Sequence, residues 1–224
     1  SPDFITESGL KNDFNINWKN LNSVGKNNNE YKSSPQIELI SMINFNSTLP
    51  MTKKDDDYNN FLTPKLSLKI NPHDMKNYST SDRKISTENI FNNNRLALED
   101  TLETGKSLTL GIDFKREKID EINKFFEMKL ATVIREKEEL FIPKNSTINK
   151  KNSNLFGSIS NNFSENLNID YEFAIDNNFE VFEYNNFSAN IKFNNFETKF
   201  NLIEENGDMG DSNVFENTSK FSID

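Results

Sequence analysis

Apolar and polar residues alternate along most of this chain, and such alternation is typical of β-strands with one apolar face. Residues 167–176 place apolar side chains at every second position, with mostly Asn, Asp and Glu between them. The stretches 107–115, 126–135 and 187–193 repeat this scheme. Helical periodicity is nearly absent. The pattern therefore predicts an all-β protein of about 9–11 antiparallel strands, counted from the alternating stretches.

The alternation also assigns two faces to each predicted strand. Leu108 and Leu110 belong to an apolar face, whereas Ser107 and Thr109 belong to a polar face. Successive side chains of a strand point to opposite sides of the sheet, so this division extends over the whole strand. We expect one sheet face made chiefly of Phe, Leu and Ile, and another rich in Asn, Ser, Lys and Glu.

The predicted connections between strands fall into two lengths. Short turns are expected at Asn177-Asn178 and at Asn194-Asn195, the second of which suits a tight hairpin. The long polar connections are expected at residues 22–33, 50–60, 71–94, 136–152 and 204–217. Short turns at one end and long loops at the other are typical of outer-membrane barrels. A tilted strand of about 9–11 residues is also long enough to cross the hydrocarbon layer.

A soluble antiparallel sandwich would show the same alternation, with its apolar face buried in a core. Three features favour the membrane barrel. The strands exceed the usual length of about 5–6 residues, the apolar faces contain few small residues, and only 7 Gly are present for tight corners. A passive porin or receptor barrel and a soluble all-β binding module remain the alternative functions. Solute flux would favour the porin, and a monomer in detergent-free water would favour the module.

Composition narrows the class of protein. The 224 residues include 38 Asn and 20 Phe, and this many aromatic residues argues against a disordered chain. The formal net charge of −9 disfavours nucleic acid as a partner, because nothing would neutralise its phosphates. Cysteine is absent, which excludes disulfides and thiolate metal sites within these residues.

No set of residues predicts catalysis or a cofactor. Residues 105–107 (GKS) resemble the end of a phosphate-binding loop, but Asp100 stands where its first glycine is required. His73 is the only histidine and has no nucleophile motif near it in the sequence. The carboxylates at 55–57 and 208–211 do not match the spacing of a calcium loop. We therefore predict that the protein is not an enzyme.

A cluster of charges precedes the strand predicted from residue 107. Arg95 is followed by Glu99, Asp100 and Glu103, all at the end of a long polar loop. An ion pair withdrawn from water would fix this loop, and removing one member would be costly. A solvated cluster, by contrast, would contribute only about 0–1 kcal/mol.

The chain around this cluster resembles the barrel domain of the LPS-assembly protein LptD family, also called organic solvent tolerance proteins. The ordered elements that carry this resemblance are 69–72, Asn89-Ile90-Phe91, Asn94-Arg95, Asp100 to Gly105 and Leu108 to Gly111. Downstream, Arg135 and the stretch Ser153 to Ile159 are similar to the family's next strand–loop–strand pattern. The resemblance extends over about residues 60–180.

This resemblance implies a protein of the cell outer membrane that moves lipopolysaccharide (LPS) into the outer leaflet. It implies a barrel of more than twenty strands, of which residues 1–224 would form a middle part. The N-terminal periplasmic domain and the barrel ends would then lie outside this chain. The implied partners are LPS, periplasmic LPS bridge proteins and an LptE-like outer-membrane lipoprotein that plugs the lumen.

The resemblance and the charge cluster together suggest which residues hold the long loop 71–105 against the inner wall of the barrel. These candidates are Asn94, Arg95, Asp100, Glu103, Gly105 and Arg135. A wide barrel is not filled by its own strand side chains, so loops are expected to fold inward.

Overall fold

The computed structural model describes residues 4–25, 34 and 36–222. These residues form twelve strands in a single sheet with antiparallel pairing throughout. The strands are β1 (Phe4–Ile5), β2 (Lys11–Ser23), β3 (Gln36–Thr48), β4 (Met51–Lys54), β5 (Tyr58–Asn71), β6 (Gly105–Lys118), β7 (Phe125–Arg135), β8 (Leu155–Ser164), β9 (Leu167–Ile175), β10 (Phe182–Phe193), β11 (Phe196–Glu205) and β12 (Ser212–Phe221).

Strand order in the sheet follows the chain, and only β4 lies off the path, paired with β5. Ten strands have nine or more residues, whereas β1 and β4 have two and four. The all-β prediction is therefore confirmed, and the ten long strands match the expected number. In the described part of the chain, no helix is long and apolar enough to cross a membrane.

The connections differ in length at the two ends of the sheet, as the sequence predicted. Long loops at one end span residues 72–104 and 136–154. Short turns at the other end include 165–166 and 194–195. We call these the long-loop end and the short-turn end. The predicted hairpin at Asn194 is confirmed, because Phe193 pairs directly with Phe196 and Asn194 adopts a φ of 49°.

Several predicted connections were wrong in their bounds. The expected loop 50–60 is mostly a hairpin, in which Met51–Lys54 pairs with β5. The expected loop 204–217 shrinks to 206–211 because β12 begins at Ser212. β4 and the first part of β12 were missed because their polar, exposed residues show no one-sided apolar pattern, whereas the last residues, from 219, were expected to form a strand.

Further differences lie at the long-loop end. The turn expected at Asn177-Asn178 is a six-residue connection, 176–181, whose backbone N–H groups at 178, 180 and 181 donate to the Asp176 carboxylate. The loop expected at 71–94 continues to residue 104. Within the expected loop 22–33, residues 22 and 23 belong to β2, and residues 26–33 lie outside the described part of the chain.

The apolar face of the sheet is exposed, and we call it the outer face. Leu110, Ile191 and Leu202 are exposed to 38%, 39% and 49%. Pairing keeps such residues on one side, since Leu110 lies opposite Leu66 and Leu202 opposite Phe187. The described residues form one sheet and no second sheet that covers this face. The described residues therefore do not form the two packed sheets of a sandwich.

The core lies on the opposite side, which we call the inner face. Strand residues such as Val133 and Phe156 are buried there under loop residues such as Ile90, Leu96 and Ile142. The sequence predicted a polar inner face in contact with water, and this was wrong at the long-loop end of β5 to β9, where loop residues cover it. Apolar side chains from the long loops pack on the inner face and exclude water there.

Candidate functional site

The loop between β5 and β6, residues 72–104, lies across the inner face rather than extending into solvent. At one side, Asn44 of β3 donates from Nδ2 to Oδ1 of Asn93, at 3.1 Å. At the other side, the hydroxyl groups of Thr87 and Ser158 of β8 are 2.9 Å apart. The loop is thus attached to strands on both sides of its own hairpin. We call it the inner loop.

A buried cluster of two arginines and one glutamate fastens the end of the inner loop. Glu103 accepts from Arg95 Nε at 2.7 Å and from Arg95 Nη2 at 2.5 Å, with a separate oxygen for each. Arg135 Nη1 donates to the same carboxylate at 2.6 Å. The side chains of Arg95, Glu103 and Arg135 are only 0%, 6% and 1% exposed. We call these three residues the Arg–Glu–Arg cluster.

Arg95 also joins the inner loop directly to strand β6. Its Nη2 donates to the Ser107 hydroxyl at 3.0 Å, and its Nη1 donates to the Thr109 hydroxyl at 2.8 Å. The sequence placed Ser107 and Thr109 on the polar face, and the register agrees. These hydroxyls are buried beneath the loop rather than wet, because Arg95 occupies their hydrogen-bonding positions.

The electrostatics of this cluster depend on a single carboxylate. Burial alone would raise the pKa of the Glu103 carboxyl, but the charge and hydrogen bonds of Arg95, with smaller contributions from Lys69 and Arg135, hold it well below its usual range. Lys69, itself buried, donates from Nζ to the Asn92 carbonyl at 2.5 Å. Two guanidinium cations thus share one buried anion, and removing that anion leaves their charges without compensation, at a cost of about 3–5 kcal/mol.

Asn94, another predicted candidate, shapes the turn that presents Arg95. Its Oδ1 accepts from the Leu98 N–H at 3.0 Å, and its Nδ2 donates to the Leu98 carbonyl at 2.9 Å. Between them, Ala97 has a φ of 50°, which is uncommon for a residue with a side chain. The asparagine side chain closes this tight turn and directs Arg95 towards the sheet.

Asp100 is separate from the Arg–Glu–Arg cluster and ties two parts of the inner loop together. It accepts from Lys76 Nζ at 2.9 Å and from the Tyr78 hydroxyl. The hydrogen bond that the Tyr78 hydroxyl donates to Asp100 is the main reason that the pKa of Tyr78 is raised to about 12. Burial alone would raise the pKa of Asp100, but the hydrogen bonds from Tyr78 and Lys76 lower it. Glu99, by contrast, is exposed.

Two glycines of β6 make room for the cluster and the loop. Gly105 has a φ of +82°, and a Cβ there would lie 3.1 Å from Nη2 of Arg135. Gly111 lies under the ring of Phe91, so a Cβ there would lie 2.7 Å from the ring. Two of the elements that carry the family resemblance, Asn89-Ile90-Phe91 and Leu108 to Gly111, therefore contact each other, since the ring of Phe91 packs where Gly111 has no side chain.

Two features were missed by the sequence reasoning. The inner loop contains buried Met75, Ile85, Ile90, Leu96 and Leu98, more apolar residues than a solvated loop needs. Exposed phenylalanines lie at the short-turn end, where Phe193 pairs with Phe196 and Phe196 with Phe221 on the outer face. The positions of these phenylalanines at strand ends were a usable signal, because barrels carry aromatic girdles there.

The polar side chains of the site contact one another and the strands. Among the described residues, no group of three or more His, Cys, Asp or Glu side chains is placed to hold a metal ion. His73 lies near Ser41, with its Nε2 3.2 Å from the hydroxyl. The buried polar groups instead attach a loop to a wall.

An open antiparallel sheet, exposed and apolar outside and covered by long loops inside, defines a segment of an outer-membrane β-barrel. The chain belongs to the family described as LPS transport system D, whose family model matches residues 9–207. This is a family of LPS transport and assembly proteins of the outer membrane, not an enzyme family. A search of curated proteins found no match to the chain.

Proposed function

We propose that this chain forms part of the wall of the outer-membrane translocon that delivers LPS to the outer leaflet. Residues 1–224 would belong to its C-terminal transmembrane barrel, with a periplasmic domain and further strands outside the chain. The membership in the LPS transport system D family supports this role. The observation that carries the proposal is the Arg–Glu–Arg cluster, which holds a loop inside a wall whose outside is apolar.

The two faces of the sheet support a membrane location for this wall. The outer face carries Phe, Leu and Ile, whose burial in acyl chains is favourable, whereas a charge at mid-membrane would cost about 2–4 kcal/mol. On the inner face, beyond the loops, β8 to β10 carry polar residues such as Ser160, Asp170 and Asn186. Such a lumen surface suits the hydrated saccharide of LPS.

The inner loop supplies a fixed filling for the lumen rather than a moving gate. A translocon must let a glycolipid through without leaking solutes, so a wide lumen needs loops or partners that obstruct it. A segment held by buried ion pairs and an apolar core opens rarely, whereas moving elements are drawn from regions with few buried contacts. The movements of transport would therefore occur in other strands and at the LptE-like lipoprotein partner, with LPS arriving from the periplasmic bridge proteins.

Attraction between opposite charges does not explain how LPS would be drawn into this wall. The chain has a formal net charge of −9, and the phosphates of LPS are also negative. Arg95 and Arg135 are buried and engaged with Glu103. The cationic groups of the cluster therefore serve the wall and not the cargo.

Depletion of the protein in the bacterium that produces it tests this function. Newly made LPS should fail to reach the cell surface, while phospholipids and other barrels continue to arrive. Complementation with Arg95→Gln should restore less surface LPS per folded barrel than wild type. Arg83→Gln, which removes an exposed arginine of the same loop, is the matched control and should restore delivery fully.

A passive porin would give the opposite results. Surface LPS would be unchanged on depletion, and the reconstituted wild-type barrel would conduct small solutes freely. Normal LPS delivery by an Arg95→Gln barrel whose inner loop is cleaved readily by protease would show that the fixed loop is not needed for transport.

A further inference from the structure

A cleft of about 450 Å³ lies at the short-turn end of the sheet, where β5 to β8 end or begin. Its lining includes Tyr58, Arg116, Lys118, Lys124, Phe126 and Phe163. Pairing places four of these on the outer face, because Tyr58 lies opposite Lys118 and Arg116 opposite Phe126. The cleft therefore opens at the edge of the surface that faces lipid.

The cleft begins where the apolar row of β6 stops. Leu108 to Phe114 place four apolar side chains on the outer face, over roughly 20 Å of strand. The next two outward positions are Arg116 and Lys118. A switch from apolar to cationic side chains at this distance marks the boundary between acyl chains and headgroups, where long basic side chains reach outward to water.

The cations of the cleft outnumber the carboxylate that they contact. The Arg116 guanidinium stacks on the Tyr58 ring, 4.0 Å from its centroid, and pairs with no carboxylate in the described part of the chain. Lys118 contacts the Glu121 carboxylate at 2.5 Å, and Lys124 contacts the same carboxylate. Two of the three cations thus share one carboxylate by direct contact, and the Arg116 guanidinium keeps its donors for a ligand.

At the opposite end of β6, the cation has a carboxylate partner of its own. There Lys106 is paired with Glu136 at 3.2 Å, one cation for one anion, and both side chains are exposed. The cleft lining thus contains a group of three cations and no carboxylate, unlike the opposite end of β6. Aromatic side chains accompany these cations, as Tyr58, Phe126 and Phe163 line the cleft and supply apolar contact for the first carbons of a lipid.

We propose that this cleft binds the phosphate headgroup of an anionic phospholipid from the leaflet at the short-turn end. The guanidinium of Arg116 would donate two hydrogen bonds to the phosphate, and Lys118 and Lys124 would add charge from its sides. The proposal rests on the membrane location proposed above and on short turns lying on the periplasmic side, where the leaflet is made of phospholipid.

Native mass spectrometry of the intact protein, released from nanodiscs of phosphatidylglycerol and phosphatidylethanolamine, tests the proposal. The wild-type protein should retain phosphatidylglycerol in preference to phosphatidylethanolamine. Arg116→Gln/Lys124→Gln should reduce that retention, by about five-fold for each cation removed. Lys106→Gln, at the opposite end of the same strand, is the matched control and should retain lipid like wild type. If the double variant does not assemble, Lys124→Gln alone should lower retention about five-fold.

Several outcomes would overturn the proposal. These are equal retention of the two phospholipids by wild type, equal losses in the double variant and the control, and preference for lipid A over phosphatidylglycerol. Displacement of the lipid by millimolar inorganic phosphate would show a simple anion site. LPS delivery by the same variants is measured separately, so a failure of lipid binding with normal delivery leaves the proposed translocon function standing.

Discussion

Replacing Glu103 with glutamine removes the only carboxylate of the Arg–Glu–Arg cluster while keeping the size of its side chain. Arg95 and Arg135 would stay buried with their charges uncompensated. Breaking a buried ion pair by removing one partner costs about 3–5 kcal/mol. We expect this cost to appear as release of the inner loop and not as unfolding of the sheet, whose ladders do not involve Glu103.

Hydrogen exchange of the folded protein in detergent measures this release. The backbone N–H of Ala97 donates to the Asn94 carbonyl at 3.1 Å, and that of Leu98 donates to the Asn94 side chain at 3.0 Å. Both amides should exchange roughly a hundred- to several-thousand-fold faster in Glu103→Gln, because each 1.4 kcal/mol corresponds to a factor of ten. Peptides from β10 and β11 should exchange at the wild-type rate.

Glu99→Gln is the matched control, since it removes the same charge from an exposed residue four positions earlier in the chain. Its exchange should stay close to wild type, because surface substitutions usually change stability by less than about 0.5 kcal/mol. Unchanged exchange at Leu98 in Glu103→Gln would refute the reasoning, and so would equal acceleration in both variants.

The remaining predictions concern single contacts of the inner loop. Gly105→Ala should lower the free energy of unfolding by about 1–2 kcal/mol, because its φ of +82° disfavours a Cβ; denaturant titration measures this, and no loss would contradict the strain. Gly111→Ala should displace the Phe91 ring and lower the stability of the inner loop by about 1–3 kcal/mol. Proteolysis of the inner loop should therefore be faster than in wild type. A loop as resistant to protease as in wild type would show that the ring has room for the added methyl group. The raised pKa of Tyr78 means that its contribution to stability is present below about pH 10 and is lost as the pH rises through about 12. Asp100→Asn should move the ultraviolet titration of Tyr78 back towards pH 10, and an unmoved titration would exclude the hydrogen bond as the cause.

Strands and faces were predictable because their signal is local. The alternation of apolar and polar residues at 167–175 predicts a strand without reference to any other part of the chain. The apolar and polar faces predicted for this strand agree with its register in the sheet. The hairpin at 194–195 was equally local. β4 and β12 carry no such alternation, and only pairing with a neighbour makes them strands.

The candidate site was predictable only in part, because its contacts join residues far apart in the chain. The sequence offered Glu99, Asp100 and Glu103 as partners for Arg95, and only the fold selects Glu103. Arg135 was named as a candidate from the resemblance alone, and its contact with Glu103 spans 32 residues. The burial of Ile90 could not be predicted from the sequence, because isolated apolar residues in a polar loop show no periodic pattern.

Nitroxide labels at single cysteines along β11 test the central claim, which is that one face of the sheet meets lipid and the other does not. Labels at Phe200 and Leu202 of the intact, reconstituted protein should be accessible to oxygen dissolved in the bilayer. Labels at Asn201 and Ile203 should instead respond to a water-soluble nickel complex. An accessibility that alternates with a period of two residues is the predicted result. Labels at 200 and 202 that are shielded from oxygen would contradict the account.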